Sequence, residues 1–243
     1  MKILITGASS GIGAELARQY ASSNNELILL ARREEKLQAL KAELLPHAKS
    51  IKLLIADVTL FEELQEKMKA IDTLDMVILN AGISLGHNAE ITPFKEFKKL
   101  YDVNLLANHA ILEVLLPKFQ AQKSGKIVFI SSLASLISMP TAKAYSSSKR
   151  ALNAYAEAVR YKYKKDGIKV ITILPGFIRS ELTDKNSFHM PFLLDTNEGV
   201  RRIVDAIAKE KRFYAFPLRF YLIISLLNFL PQYLRDKIVN FIN

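Results

Sequence analysis

Tyr145 and Lys149 have the types and the spacing of residues that move a proton. They are four apart in a segment, 142–164, that is predicted to form one long helix, so both side chains project from the same face. A free tyrosine phenol has a pKa of about 10, and a neighbouring ammonium lowers that pKa by favouring the phenolate. The pair therefore predicts a tyrosine that exchanges a proton near neutral pH, with Lys149 as the cation that tunes it.

Ser132 supplies a hydroxyl group just after a predicted strand, 126–130. Reduction of a carbonyl group adds a proton to its oxygen, and the charge that develops there needs hydrogen-bond donors. We expect Tyr145 to give this proton and Ser132 to hold the oxygen. The structural alternative is a core tyrosine, a solvated lysine and a polar loop, since each residue alone is common in such places.

A glycine-rich turn, Thr6-Gly7-Ala8-Ser9-Ser10-Gly11-Ile12-Gly13, separates the first predicted strand from the first predicted helix. Glycines let the backbone approach a pyrophosphate, and the positive end of the following helix attracts the phosphates. The alternative is a tight turn without a ligand. In this strand-turn-helix context we expect a dinucleotide site, with contacts from Gly7, Ser9, Ser10, Gly11, Ile12 and Gly13.

The end of the second predicted strand indicates which dinucleotide binds. An acidic residue there hydrogen-bonds the 2′-hydroxyl of NAD and repels the 2′-phosphate of NADP. This sequence has Ala31-Arg32-Arg33, with no carboxylate at Ala31 and two guanidinium groups suited to phosphate. It predicts NADP(H) over NAD(H). The alternative is that both arginines belong to a solvated helix and pair with Glu34 and Glu35.

These motifs together resemble the short-chain dehydrogenase/reductase family. The turn has the family's TGxxxGxG spacing, and Ser132, Tyr145 and Lys149 have its Ser-x12-Tyr-x3-Lys separations. The resemblance covers residues 4 to about 182 and implies an oxidoreductase that interconverts a ketone or aldehyde and an alcohol. It also places Tyr145 and Lys149 against the nicotinamide ribose. Asn104 matches the family's fourth catalytic residue, which would retain a water for proton relay to Lys149.

The resemblance implies further cofactor contacts at the carboxyl ends of predicted strands, which are Asp57, Val58, Asn80, Ala81, Gly82, Pro175, Gly176, Ile178 and Ser180. Asp57 and Val58 would contact adenine, and the motif Asn80-Ala81-Gly82 would stabilise the sheet. Ile178 would offer its backbone to the carboxamide. Ser180 stands where threonine is usual in the family and keeps the hydroxyl.

The elements that must position these residues alternate along the chain. Apolar runs at 2–5, 26–30, 51–56, 76–79, 126–130 and 169–174 predict buried strands, and patterns such as 13–22, 34–44 and 61–71 predict helices. This alternation predicts an α/β fold of the Rossmann type, a doubly wound parallel sheet in three α/β/α layers with extra C-terminal helices. A single domain over 1–243 accounts for the length.

Composition restricts the other functions. The chain has no cysteine, which excludes disulfides and thiolate chemistry, and its histidines are scattered, so we expect no metal site. They are His47, His87, His109 and His189. A net charge of +10 favours anionic partners. The sequence has no nucleic-acid-binding motif, so we expect that it does not bind nucleic acid. The first apolar run leaves no room for a signal peptide, which favours a cytoplasmic location.

The C-terminal third is expected to handle the substrate. Residues 182–200 are predicted to form a lid over the substrate. The loop that includes most of this lid, 181–196, is apolar, which favours a hydrophobic substrate. The alternative is that these apolar residues pack a small core. Residues 213–243 form an apolar extension whose run 220–230 is too short to span a bilayer. An amphipathic helix follows Pro231, with Leu234, Ile238, Phe241 and Ile242 on one face. The extension could cover the pocket, form a subunit interface, or contact the inner face of a membrane.

Two further expectations concern assembly and function class. The 142–164 helix is rich in alanine, at Ala151, Ala154, Ala156 and Ala158. Family members commonly dimerise through this helix, so we expect a homodimer or homotetramer, measurable as a mass in solution. Burial within one subunit explains the alanines equally well. The rival function is an NADP(H)-binding regulatory protein with little turnover, whose signature would be a missing tyrosine or lysine.

Overall fold

A parallel β-sheet carries the residues singled out above. The computed structural model describes residues 1–86, 90–186, 188 and 190–241, and within them lies one seven-stranded sheet of order β3-β2-β1-β4-β5-β6-β7. Its strands are β1 (Lys2–Thr6), β2 (Glu26–Ala31), β3 (Ser50–Ile55), β4 (Met76–Leu79), β5 (Gly125–Ile130), β6 (Ile168–Pro175) and β7 (Phe213–Phe216). The order runs outward from β1 in both directions, so the sheet is doubly wound, as predicted.

Helices cover both faces of this sheet. They are α1 (Gly11–Ala21), α2 (Glu34–Leu44), α3 (Phe61–Lys69), α4 (Phe94–Tyr101), α5 (Ala107–Gln122), α6 (Lys143–Tyr163), α7 (Thr196–Ala208), α8 (Leu218–Phe229) and α9 (Gln232–Phe241). Successive strand residues point to opposite faces, so Ile3 and Ile5 pack with α1, α2 and α7, and Leu4 packs with α3, α5 and α6. The predicted three-layer α/β/α architecture is confirmed.

The seventh strand is absent from the prediction. Phe213–Phe216 begins the segment that we expected to be an apolar extension outside the sheet, yet it pairs with β6, with Thr172 opposite Phe213 and Pro175 opposite Phe216. A four-residue apolar strand that runs into an apolar helix has no periodicity of its own, which is why the pattern does not reveal it. The sheet edge is therefore β7, and the extra helices begin at Leu218.

The two C-terminal helices pack at the carboxyl ends of β5 and β6. Ile224 of α8 and Val239 of α9 are buried in an apolar cluster with Leu174 of β6 and with Leu133 and Ile137, from the segment that follows β5. One side of this helix pair is thus part of the fold. Ile242, expected on the amphipathic face, lies outside the described residues.

Candidate active site

Ser132, Tyr145 and Lys149 meet at the carboxyl edge of β5. Ser132 lies two residues after the strand, and Tyr145 and Lys149 lie in the first two turns of α6. The Ser132 hydroxyl is hydrogen-bonded to the Tyr145 phenol. The Lys149 ammonium lies 5.9 Å from the centre of the Tyr145 ring. The three side chains predicted from spacing alone are therefore neighbours in space.

Burial sets the charges of this group. Lys149 is 3% exposed, and its ammonium donates a hydrogen bond of 3.0 Å to the Ile130 carbonyl. Desolvation disfavours the charged form, so burial lowers the pKa of Lys149 to about 8. Burial raises the pKa of Tyr145, and the hydrogen bond with Ser132 lowers it only in part. At neutral pH the phenol keeps its proton, and a positive charge lies beside it.

Asn104 lies near the lysine, in the π-helical turn Asp102–Leu106 between α4 and α5. Its amide oxygen accepts a hydrogen bond of 2.8 Å from the Ile83 backbone N–H, and its amide nitrogen donates to the Ile83 carbonyl and to the Ser148 hydroxyl, each at 3.0 Å. A Cβ added at Gly82 would lie 3.4 Å from both the Asn104 amide oxygen and the Lys149 ammonium. Asn104 thus ties the loop after β4 to α6 beside Lys149.

The glycine turn after β1 folds back closely on itself and on the loop after β4. Gly7 has a φ of +68°, and a Cβ on Gly13 would lie 2.2 Å from the Gly7 carbonyl oxygen, so no side chain fits there. Asn80 stabilises the turn, because its side chain donates to the Thr6 carbonyl at 3.0 Å. The Thr6 hydroxyl in turn accepts bonds of 3.0 Å from the backbone N–H groups of Asn80 and Ala81. This geometry fits a pyrophosphate at the start of α1.

The two arginines after β2 do not pair with Glu34 and Glu35. Arg32 donates to the Asp57 carboxylate at 3.2 Å. Arg33 reaches the turn itself, donating to the Ser9 hydroxyl at 3.1 Å and to the Ser10 hydroxyl at 2.5 Å. Both guanidinium groups therefore lie beside the expected phosphate site.

Ala31, the position expected to indicate the cofactor by its lack of a carboxylate, does not face the cofactor site. It is 6% exposed and packs in the apolar cluster with α1 and α2, whereas Arg32 is exposed. A carboxylate that selects NAD would therefore be accessible to a ribose at position 32 and buried at position 31. The strand pattern gave the right end of β2, but not which of its neighbouring side chains faces outward.

Asp57 and Val58 follow β3 on the same side. The Asp57 carboxylate accepts hydrogen bonds from the Thr59 backbone N–H and hydroxyl, at 2.9 and 2.8 Å. Burial raises the pKa of Asp57, but these bonds and the ion pair with Arg32 outweigh it and lower the pKa below its usual value. Asp57 is thus a fixed anion that orients Arg32, and Val58 is buried behind it.

The loop after β6 reaches the glycine turn. Gly176 donates to the Phe216 carbonyl at 2.7 Å, and Ile178 forms a bridge with Leu194 across the base of the 181–193 segment. The Ile178 carbonyl accepts a hydrogen bond of 3.1 Å from Thr183. A Cβ on Gly11 would lie 3.0 Å from the Ser180 Cβ, so this loop touches the glycine turn.

Aromatic rings cluster where the loop after β6 meets α8. Phe177 lies 5.8 Å from Phe188 and 5.9 Å from Phe220 of α8, and Phe192 lies 5.9 Å from Phe220, as ring-centre distances. The predicted lid residues thus contact the C-terminal helices. Sequence reasoning missed Phe220 as a partner, because nothing in its own apolar run points toward the lid.

Across the described ranges, no three His, Asp or Glu side chains are grouped closely enough to hold a metal ion, and no helix combines the length and apolarity that a bilayer crossing requires. His87 and His189 lie outside those ranges. His109 contacts the Tyr155 hydroxyl at 2.9 Å.

Comparison with known proteins identifies relatives of this chain. A family model described as short chain dehydrogenase matches residues 1–190. An uncharacterized oxidoreductase of Myxococcus xanthus is 33% identical over 96% of this chain and 94% of its own length. Another, of Mycobacterium tuberculosis, is 36% identical over 89% and 88%. A short-chain dehydrogenase from Sphingobium yanoikuyae, solved with NADPH, shares the fold with a TM-score of 0.84 at 23% identity, over 95% and 96% of the two chains.

Proposed function

The chain belongs to the short-chain dehydrogenase/reductase family of oxidoreductases, and we propose that it interconverts a hydrophobic ketone or aldehyde and its alcohol with NADP(H), as a homodimer or homotetramer. The observation that carries this proposal is the convergence of Ser132, Tyr145 and Lys149 at the same edge of the sheet as the glycine turn. Bound NADP(H) would supply or take up the hydride. The protein's residues then have to move one proton and stabilise one oxygen.

The proton chemistry follows from the charges of the site. Tyr145 holds a proton on its phenol and can donate it to a carbonyl oxygen within hydrogen-bond reach. The Lys149 ammonium then stabilises the phenolate, because the two groups are close and the site is buried. The Ser132 hydroxyl, already bonded to the phenol, is placed to donate to the same substrate oxygen. We assign Asn104 to orienting the loop beside Lys149 and to the proton relay.

The preference for NADP(H) is supported by two cations. Arg32 and Arg33 follow β2, where a dinucleotide's adenosine ribose would lie, and Arg33 also contacts the glycine turn. A guanidinium group binds phosphate through parallel N–H bonds, which favours a cofactor that carries a 2′-phosphate. The residues Gly7, Gly13, Asp57 and Ile178 would hold the rest of the cofactor. The NADPH complex of the Sphingobium yanoikuyae enzyme is compatible with this assignment.

We expect purified protein to oxidise NADPH in the presence of apolar ketones or aldehydes. The aromatic cluster of Phe177, Phe188 and Phe220 supports an apolar substrate, so kcat/KM for apolar ketones should exceed kcat/KM for hydroxylated ketones of equal size by about tenfold or more. The loss of NADPH absorbance measures the rate, and the reverse reaction is followed with the corresponding alcohols. Tight NADPH binding without turnover in either direction would favour the regulatory alternative instead.

We further infer that the protein contacts anionic lipid at the inner face of a membrane. The contact would be the outer side of α8 and α9, here called the C-terminal apolar face, whose exposed residues are Leu218, Leu222, Ile223, Leu226, Phe229, Tyr233, Leu234, Ile238 and Phe241. Two of them, Phe229 and Phe241, are 86% and 90% exposed. Exposed apolar surface of this extent marks a contact.

Charge favours anionic lipid as the partner of this face. Residues 211–241 contain five Lys and Arg residues and one acidic residue, and the whole chain has a net charge of +10. Apolar side chains that enter the headgroup boundary and cations that meet anionic lipid are the two components of peripheral binding. The inner side of the same helices contacts the lid through Phe220, so an apolar substrate could reach the site from the bilayer.

Flotation with lipid vesicles tests this contact. Leu226→Ser with Phe229→Ser should lower binding to phosphatidylglycerol-rich vesicles by at least about tenfold, since each side chain loses its transfer free energy. A truncation at residue 213 would remove β7, so substitutions are the better probe. The control is Leu45→Ser with Leu60→Ser, two residues that are each 53% exposed and lie beyond α8 and α9.

Two results would contradict the membrane contact. One is equal flotation of both variants and the unchanged protein. The other is a change in the mass of the particle in solution with no change in flotation, which would identify the face as a subunit interface. Vesicles of pure phosphatidylcholine should bind more weakly than anionic ones, because they lack the charge that the cations meet.

A further inference from the structure

Glu181 forms ion pairs that no motif of the sequence predicts. It follows Ser180 in the loop after β6. Its carboxylate accepts hydrogen bonds from Arg33 at 2.7 Å and from Lys36 at 2.5 Å. A hydrogen bond from Ser10 adds a third partner. These bonds lower the pKa of Glu181 to about 2, so the carboxylate is charged at any physiological pH. Glu181 thus bridges the lid, the glycine turn and α2.

The same groups would bind the 2′-phosphate of the cofactor. Arg33 reaches both the Ser9 and the Ser10 hydroxyls of the turn, and Lys36 lies one turn further along α2. A carboxylate and a phosphate use the same guanidinium N–H groups. Two anions would compete for Arg33, and the side chain of Glu181, which is half exposed, can leave.

We propose that Glu181 is a specificity-determining residue that occupies the 2′-phosphate site of the free enzyme and is displaced by NADP(H) but not by NAD(H). The inference rests on the proposed cofactor. Because NAD(H) has no 2′-phosphate, Glu181 can keep its partners when NAD(H) binds. Glu181 therefore weakens the binding of NADP(H) but not that of NAD(H). The affinity for NADP(H) then exceeds that for NAD(H) by less than it would without Glu181. Its displacement also releases the start of the lid only when NADP(H) is bound.

Substitution of Glu181 by glutamine tests this competition. Glu181→Gln removes the anion and keeps the size, so the Kd for NADPH should fall about three- to tenfold, as expected for ion pairs at a half-exposed site. The Kd for NADH should change by less than about twofold. Binding is measured by the fluorescence of the reduced cofactors, and turnover is not needed. The chain has no tryptophan, so protein emission interferes little.

The matched control is Asp184→Asn, which removes an exposed carboxylate from the same segment. It changes the net charge equally, so a general electrostatic effect would appear in both variants. Equal changes in the two variants, or an equal gain for NADH and NADPH, would overturn the proposal. Weaker NADPH binding in Glu181→Gln would overturn it too, because Glu181 would then support the bound cofactor.

Hydrogen exchange of the cofactor-free protein gives an independent readout. The backbone N–H groups of Thr183 and Asp184 each donate to the Ser180 carbonyl at 2.9 Å, next to Glu181. Loss of the ion pairs should speed exchange at these two amides, and unchanged exchange would contradict a tether. A wild-type protein that prefers NADH would contradict the cofactor proposal alone, since the variants still show whether NADPH gains selectively.

Discussion

Replacing Tyr145 with phenylalanine should lower kcat by about a thousandfold, because general acid catalysis contributes about 10² to 10⁴ to such rates. The variant keeps the ring, and with it the packing beside Lys149, whose ammonium lies 5.9 Å from the ring centre. Only the hydroxyl that bonds to Ser132 and carries the proton is lost. The dissociation constant of NADPH should stay within about twofold, since the lost group acts on the substrate oxygen.

Steady-state kinetics together with direct cofactor binding separate this role from a structural one. Tyr155→Phe is the matched control, since it removes the same hydroxyl from the same helix, where Tyr155 contacts His109. Its kcat should remain within about twofold of the unchanged protein. Tyr145→Phe with full activity would exclude the proton-transfer role. A parallel loss of cofactor binding or of thermal stability would indicate a structural role instead.

The sequence predicts the central architecture because its signals are local. Buried strands such as β1 and β4 are short apolar runs, and α2 has apolar residues at helical spacing, so both types are visible in windows of a few residues. The parallel arrangement follows from the alternation of the two types. β7 has neither signal, because its four residues continue without contrast into α8. Only its pairing with β6 defines it as a strand.

The catalytic group could be predicted for a similar reason. Residues that follow parallel strands share one edge of the sheet, and i, i+4 residues share one helix face, so Ser132, Tyr145 and Lys149 are brought together by the fold class itself. The low pKa of Lys149 could not be predicted, since it depends on how deeply α6 and the loop after β4 bury the ammonium. Spacing contains no information about burial.

The contact between Arg33 and Glu181 is the feature of the site that the sequence predicts least well. Arg33 and Glu181 are 148 positions apart in the chain, and their contact depends on how the loop after β6 meets the glycine turn. Local charge patterns suggested the adjacent Glu34 and Glu35 instead. A single position also separates the buried Ala31 from the exposed Arg32, and successive residues of a strand point in opposite directions. An error of one position in the predicted strand therefore moves the residue that selects the cofactor from the site into the core.

The position of Arg32 leads to the second large expected effect, a reversal of cofactor preference. Arg32→Asp with Arg33→Ser removes both guanidinium groups and adds a carboxylate that can bond a 2′-hydroxyl and repel a 2′-phosphate. Hydrogen bonds to a charged group contribute about 1.5 to 3 kcal/mol each, so the ratio of the NADH and NADPH dissociation constants should shift by about 10² to 10³ toward NADH. An aspartate at Ala31 would be buried and would act on stability.

Fluorescence titration with both cofactors measures this ratio, and a charge-matched variant separates local contact from net charge. Arg201→Asp with Arg202→Ser makes the same change in an arginine pair on α7, where both side chains pair with Glu198. Its cofactor ratio should stay near that of the unchanged protein, because these two arginines pair with Glu198 and not with the glycine turn. Equal shifts in the two variants would mean that the field of the whole protein selects the cofactor. An unchanged protein that already binds NADH more tightly would show that Arg32 and Arg33 do not hold a 2′-phosphate.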